Sequence, residues 1–175
     1  MLQIVVLKQL FGLAHTTSLH SCLTITLSIL KIKIMPITVT ATQGLFTPDA
    51  EKMVVPKLSE LMLKLHGLAG NKFMTPVVIG SINIISPERI FSGGNPIPAV
   101  FIEWKVPSFG FGTQEILNKY VEEATAIAVE LSKGKLTKKN VFVNVLHAVD
   151  GSWGVNGKAY ANAELVSAIQ ADVAY

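Results

Sequence analysis

From Met35 onward the sequence predicts an α+β domain: two β-α-β units in tandem, forming one four-stranded sheet with two helices on one face. Three observations predict it. Short β-branched runs alternate with long stretches of helical periodicity, and glycine or proline punctuates the junctions. No third long amphipathic stretch is evident to cover the sheet's other face. Oligomerisation is the obvious cover.

The first strand is Pro36–Thr42, where apolar and polar side chains alternate as in a half-buried strand. Thr47, Pro48 and Asp49 read as N-cap, first-turn proline and favourable early acid. The helix they open carries Met53, Val54, Leu58, Leu61, Met62 and Leu65 at helical spacing, with Gly67 as terminator. Pro56 predicts a kink or a restart within it. Val77–Ile85 is the second strand, Ser86–Pro96 a turn-rich connection, and Pro98–Val106 the third strand. Thr113 caps a second helix with a continuous apolar stripe from Ile116 to Leu131, ended by Gly134. Val141–His147 is the fourth strand, and Asp150–Tyr160 turns into a short fifth. Residues 36–160 form the domain; residues 161–175 are a C-terminal tail or a loose helix.

The length suits one domain. The formal charge of +3 arises in residues 1–34, which carry Lys8, Lys31 and Lys33 and no acidic residue. From Met35 on, twelve basic residues face twelve acidic ones, which argues against a nucleic-acid partner. The lone cysteine, Cys22, excludes an intrachain disulfide and a thiolate metal site. No metal-ligand spacing, phosphate-cradling glycine loop or GxSxG elbow is present, so no cofactor, metal or serine nucleophile is assigned.

Residues 1–35 are an apolar N-terminal extension, uncharged from Gln9 to Leu30. Its Ser, Thr and His content is too high for a convincing spanning helix, and the bulky Ile32-Lys33-Ile34 fits a cleavage site badly. Residues 23–34 alternate like a strand. The favoured reading is that translation starts at Met35 and that the small Pro36 side chain permits removal of the methionine. A cleaved leader and a genuine extension are the alternatives. The first predicts a cytoplasmic protein, and only a genuine leader a secreted or membrane-associated one. Pro36 is therefore either a strand-opening residue or a free secondary amine.

A strand beginning Pro36-Ile37-Thr38-Val39 directly after Met35, with tandem β-α-β units, resembles the tautomerase superfamily. Phe91-Ser92-Gly93-Gly94 with Pro98, Asn140-Val141-Phe142-Val143-Asn144 and Trp153-Gly154-Val155-Asn156-Gly157 are similar to macrophage migration inhibitory factor. His66-Gly67-Leu68-Ala69-Gly70 is more similar to the cis-3-chloroacrylic acid dehalogenase branch. The resemblance covers essentially all of 36–160.

It implies a homotrimer in which Pro36, once terminal, is the general base for keto–enol proton transfer on a small 2-keto or unsaturated acid. A terminal amine near pKa ~8, lowered by burial or a cation, suits that task; an amide does not. Asn144 matches an asparagine that reaches a neighbouring subunit's pocket. Phe142 stands where relatives carry a tyrosine, leaving an apolar wall without a hydroxyl. The paired arginines of the dehalogenase branch align around Val106–Gly110, where none exists; Arg89 is the only arginine. Hydrolytic dehalogenation is therefore disfavoured. Lys72 and Lys105 are the candidate cations for the substrate acid, with Lys64 a weaker one, and Val106 or Ser108 the candidate backbone donor, since Pro107 has no N–H. The alternatives are a non-catalytic trimeric binding or signalling protein of this fold and a Pro-dependent hydratase.

Overall fold

The computed structural model describes residues 35–155 and 157–172. The expectations for residues 1–34 lie outside them. Among the described residues the sheet has four strands in the order β2-β1-β5-β6: β1 (Met35–Thr42), β2 (Val78–Ile85), β5 (Val100–Pro107) and β6 (Val141–Ala148). β1 runs parallel to β2, β5 parallel to β6, and the two halves meet where β1 and β5 pair antiparallel. The tandem β-α-β reading holds, and the third and fourth strands begin and end within two residues of their predicted limits.

Helix α1 (Pro48–Leu65) packs on β1 and β2, α2 (Gln114–Leu131) on β6, and the two helices touch. Both start as the sequence predicts. Thr47 Oγ1 accepts the Ala50 N–H, and Thr113 Oγ1 accepts the Ile116 N–H, each at 3.3 Å. Pro56 does not divide α1, which continues through it at the cost of one i→i−4 bond. Gly80 of β2 lets α1 close on the sheet: a Cβ there would collide with Val55 Cγ1. Ile37 and Val39 of β1, Val54 and Leu58 of α1, Val100, Ile102 and Trp104 of β5, and Tyr120 and Ala124 of α2 are buried in the core. At the far end of the sheet, Thr42 Oγ1 accepts the Ala99 N–H at 2.9 Å and donates to the Ala99 carbonyl at 3.2 Å, satisfying a buried hydroxyl and pinning β1 to β5.

Alternation assigns the other residues to the helix-free face. Register puts Ser81, Thr38, Glu103 and Asn144 in one row across it, and Asn83, Thr40, Phe101 and Phe142 in the next. Phe142, Leu146 and Ile79 are exposed large apolar residues on this face.

The loop after β2 contains a two-residue hairpin, β3 (Phe91–Ser92) and β4 (Asn95–Pro96). After β6 comes a second hairpin, β7 (Trp153–Val155) with β8 (Lys158–Tyr160), so the expected short fifth strand is a pair. Of the two alternatives for the C-terminal residues, a helix forms: α3 (Asn162–Ala171), with Leu165 buried against the core. Among the described residues no helix is long and apolar enough to cross a membrane.

Candidate active site

Pro36 is half-buried at the start of β1, opposite Ile79 of β2. Because β5 runs antiparallel to β1, the first residues of β1 lie beside the last residues of β5; Ile37 pairs with Trp104. Because β6 is parallel to β5, its C-terminal end arrives at the same place, with Lys105 paired to Leu146. The Ser152–Gly154 segment completes a cleft of about 360 Å³ lined by Pro36, Lys105, Leu146, His147, Ser152 and Trp153 among others. Ser152 is occupied in its own turn, its hydroxyl donating to the Val149 carbonyl at 2.7 Å. Lys105 is exposed and forms no ion pair with a described residue.

The cleft thus joins two of the sequence-predicted site residues, Pro36 and Lys105. Val106, next in β5, turns its buried side chain to the other face. Ser108 Oγ accepts from Asn162 Nδ2 at 2.7 Å, tying the turn after β5 to the start of α3. Lys72 lies elsewhere, in the loop after α1, where its backbone N–H donates to Asp172 Oδ1 at 2.6 Å at the end of α3. Phe142 stacks on Phe101 across the open face, ring centroids 5.2 Å apart and 18° from parallel. Asn144 is exposed beside Glu103 and lines a second groove of about 600 Å³ between β6 and α2. Within one protomer Phe142 and Asn144 do not line the Pro36 cleft.

His66 is engaged structurally. Its Nδ1 bonds the Met62 carbonyl at 2.9 Å and its Nε2 accepts the Phe111 N–H at 3.1 Å, a pairing that defines the Nδ1–H tautomer. A histidine with both nitrogens engaged has no lone pair or proton to offer a substrate. Arg89 sits in the short 3₁₀ turn after β2 and is not among the cleft residues. Sequence reasoning did not mark Leu146, His147 or Ser152. Leu146 was legible only as an alternation partner of Asn144, and the other two carried no motif. Among the described residues no group of three His, Cys, Asp or Glu side chains is placed to hold a metal ion.

The β-α-β-β-α-β arrangement of this chain is similar to that of several solved structures. One, a symmetric trimer of wild-type fused 4-OT, is 17% identical with a TM-score of 0.60, covering 74% of this chain and 98% of that one. A second, N1 of the cis-3-chloroacrylic acid dehalogenase family, is 18% identical with a TM-score of 0.58, covering 75% and 89%. The chain has the fold of the tautomerase superfamily. Macrophage migration inhibitory factor from Oncomelania hupensis has that fold too, at 11% identity and a TM-score of 0.52, covering 71% of this chain and 96% of that one. No protein-family model and no curated protein matches the sequence. Between the tautomerase fold and this chain, then, the likeness is one of backbone, and the site must be argued from its own residues.

Proposed function

We propose that this protein is a cofactor-independent tautomerase of small 2-keto or related unsaturated acids, working from a chain that begins at Pro36. The observation that carries the reading is the shared cleft of Pro36 and Lys105. Pro36 is half-buried near the start of β1, and once it is the terminal secondary amine an ammonium nearby favours its neutral, basic form. The amine takes a proton from the carbon next to the substrate carbonyl; the C–H pair becomes the new C=C bond and the C=O pair moves to oxygen. Pro36 then returns the proton to that oxygen, or the sequence runs in reverse. Lys105 binds the substrate carboxylate, a charge-assisted contact that orients the reacting carbon.

Trimer assembly fits the same reading. The open sheet face, with Phe142, Leu146 and Ile79 exposed, needs a cover, and a 4-OT protein of this fold is a symmetric trimer. Phe142 and Asn144 line no part of their own protomer's cleft, and a neighbour's cleft is where they would act.

With a residue before it, Pro36 is an amide and has no basicity. The test is therefore deuterium exchange at C3 of 2-oxobutanoate, followed by NMR, for protein beginning at Pro36, its Pro36→Ala variant and the full chain. Exchange only in the first supports the mechanism. Equal exchange by the full chain sinks it. N-terminal sequencing of protein from the native cell identifies the working form.

A further inference from the structure

The end of the sheet opposite the Pro36 cleft gathers three connections: the turn after β1, the loop after β2 with its hairpin, and the loop between α2 and β6. The last of these, residues 132–140, carries Lys133, Lys135, Lys138 and Lys139 and no carboxylate. It is held firmly to the domain. Leu136 is buried, Ser132 Oγ accepts its N–H at 3.2 Å, and Asn140 Nδ2 donates to the Pro98 carbonyl at 2.6 Å. Lys135 Nζ donates to the Gly44 carbonyl at 2.8 Å, joining this loop to the turn after β1. All four lysines are exposed, and none forms an ion pair with a described residue.

The loop after β2 adds the chain's only arginine and an exposed aromatic ring. Arg89 lies in the 3₁₀ turn Pro87–Arg89, and Pro87, Pro96 and Lys135 line one cleft of about 320 Å³. Phe91, paired with Pro96 across the β3–β4 hairpin, is 57% exposed. No acidic or basic residue occurs from Ile90 to Ile102, so the hairpin itself is uncharged. Carboxylates are present at this end too: Glu88, Glu130 at the end of α2, and Asp49 and Glu51 in the first turn of α1. Asp49 is matched by Lys52 at 3.7 Å, and Glu88 accepts from the Ser86 hydroxyl. With Lys52, this end holds six cations to four carboxylates, against six to eight in the rest of residues 35–175. The domain is neutral but polarised.

We propose that this end docks on an anionic lipid surface, the lysines meeting the headgroups and Phe91 entering the boundary between headgroups and acyl chains. Two observations select a membrane over a nucleic acid. The exposed Phe91 ring stands on an uncharged hairpin beside the cations, which gives the patch apolar surface to bury in lipid. Four lysines with a single arginine supply diffuse charge attraction, whereas phosphate recognition by geometry favours the bidentate arginine fork. The Pro36 cleft lies at the other end of the strands, so docking here leaves it open to solvent. The proposal does not depend on the tautomerase reading.

Phosphatidylcholine vesicles, with or without about one third phosphatidylserine, are sedimented with the full chain at about 0.1 M salt. The anionic vesicles should carry the protein down and the neutral ones should not, with binding lost as salt is raised to about 1 M. Lys133→Gln, Lys138→Gln and Lys139→Gln together should lower the affinity about 100-fold, close to fivefold for each charge. Phe91→Ser should lower it about tenfold, by a factor that does not change with salt. The two variants alter different loops, so misfolding of one leaves the other as the test. Equal binding to neutral vesicles would overturn the proposal. So would equal binding by the parent and the lysine variant, which would assign attachment to another part of the chain. Retention by a duplex oligonucleotide without vesicle binding would overturn it in favour of a nucleic acid.

Discussion

The His66 ring holds the backbone of Phe111: Nε2 accepts its N–H at 3.1 Å while the two rings meet edge to face, 4.8 Å apart at 73°. The contact fixes the turn after β5 against the end of α1. It gives His66 a structural role, with both ring nitrogens engaged by Met62 and Phe111.

Removing that ring should therefore cost stability first. His66→Ala leaves the Phe111 N–H without its acceptor in a left-handed residue and should destabilise by about 1–3 kcal/mol. Urea unfolding followed by far-ultraviolet circular dichroism measures it. An unchanged midpoint would mean that the bond is not formed in solution.

Tyr120 should behave in the opposite way. Its hydroxyl is buried with no hydrogen-bond partner among the described residues, and burial pushes the phenol upward, away from ionisation. Tyr120→Phe removes an unpaired polar atom and keeps the ring that meets Trp104 at 5.4 Å. The variant should be as stable as the parent or more stable by roughly 1 kcal/mol. A clear loss of stability in the same unfolding assay would reveal a partner for the hydroxyl.

The contact between the second hairpin and α3 should loosen in acid. Lys158 Nζ donates to Glu164 Oε1 at 2.7 Å and stands 4.5 Å from the Tyr160 ring centroid, while Glu164 Oε2 accepts the Ala161 N–H at 3.1 Å. The Lys158 bond, then the Ala161 bond, holds the Glu164 carboxyl below its usual range; the Glu164 bond raises Lys158. A lowered carboxylate stabilises the fold above its unfolded value and stops doing so as pH falls through the folded one, here below pH 4.5. The raised lysine contributes up to its unfolded value and is lost above pH 10.5. Both groups are exposed, so the effect is small and local. Amide hydrogen exchange across α3 should quicken at either extreme, and Glu164→Gln should remove the acid limb alone. Identical acid limbs in parent and variant would refute the linkage.

The two lysines should part in kinetics. Lys105→Ala should raise KM for a 2-keto acid roughly 10- to 100-fold, the loss of one charge-assisted contact, with a smaller change in kcat. Lys72→Ala should change either constant by less than about twofold, since that side chain is not among the cleft residues. Steady-state rates of the two variants decide it; a reversed ranking would move the acid-binding site to the loop after α1.

Much of the fold was legible because its signals are local. The caps at Thr47 and Thr113, the core stripes of both helices and the split of β6 into Val141, Val143 and Val145 against Phe142, Asn144 and Leu146 follow from spacings of two to four residues. Of the two outcomes expected at Pro56, the restart does not occur: packing of Val54 and Leu58 holds α1 together through it. The α3 helix was left open because its Ala-rich pattern has weak amphipathicity, and burial of Leu165 with end bonds to Asp150 and Ser108 decides it.

By itself, then, the sequence determined the elements, the faces of each strand and the chemical stake in Pro36. Tertiary structure decided which residues meet. With β5 inserted antiparallel to β1 and parallel to β6, Pro36, Lys105 and Trp153 converge at one end of the sheet although they are far apart in the chain. Strand order depends on long-range pairing and on closing α1 over Gly80, energies that no local period encodes. For the same reason Lys72 and Lys105 were equivalent candidates in the sequence, and only the folded chain separates them.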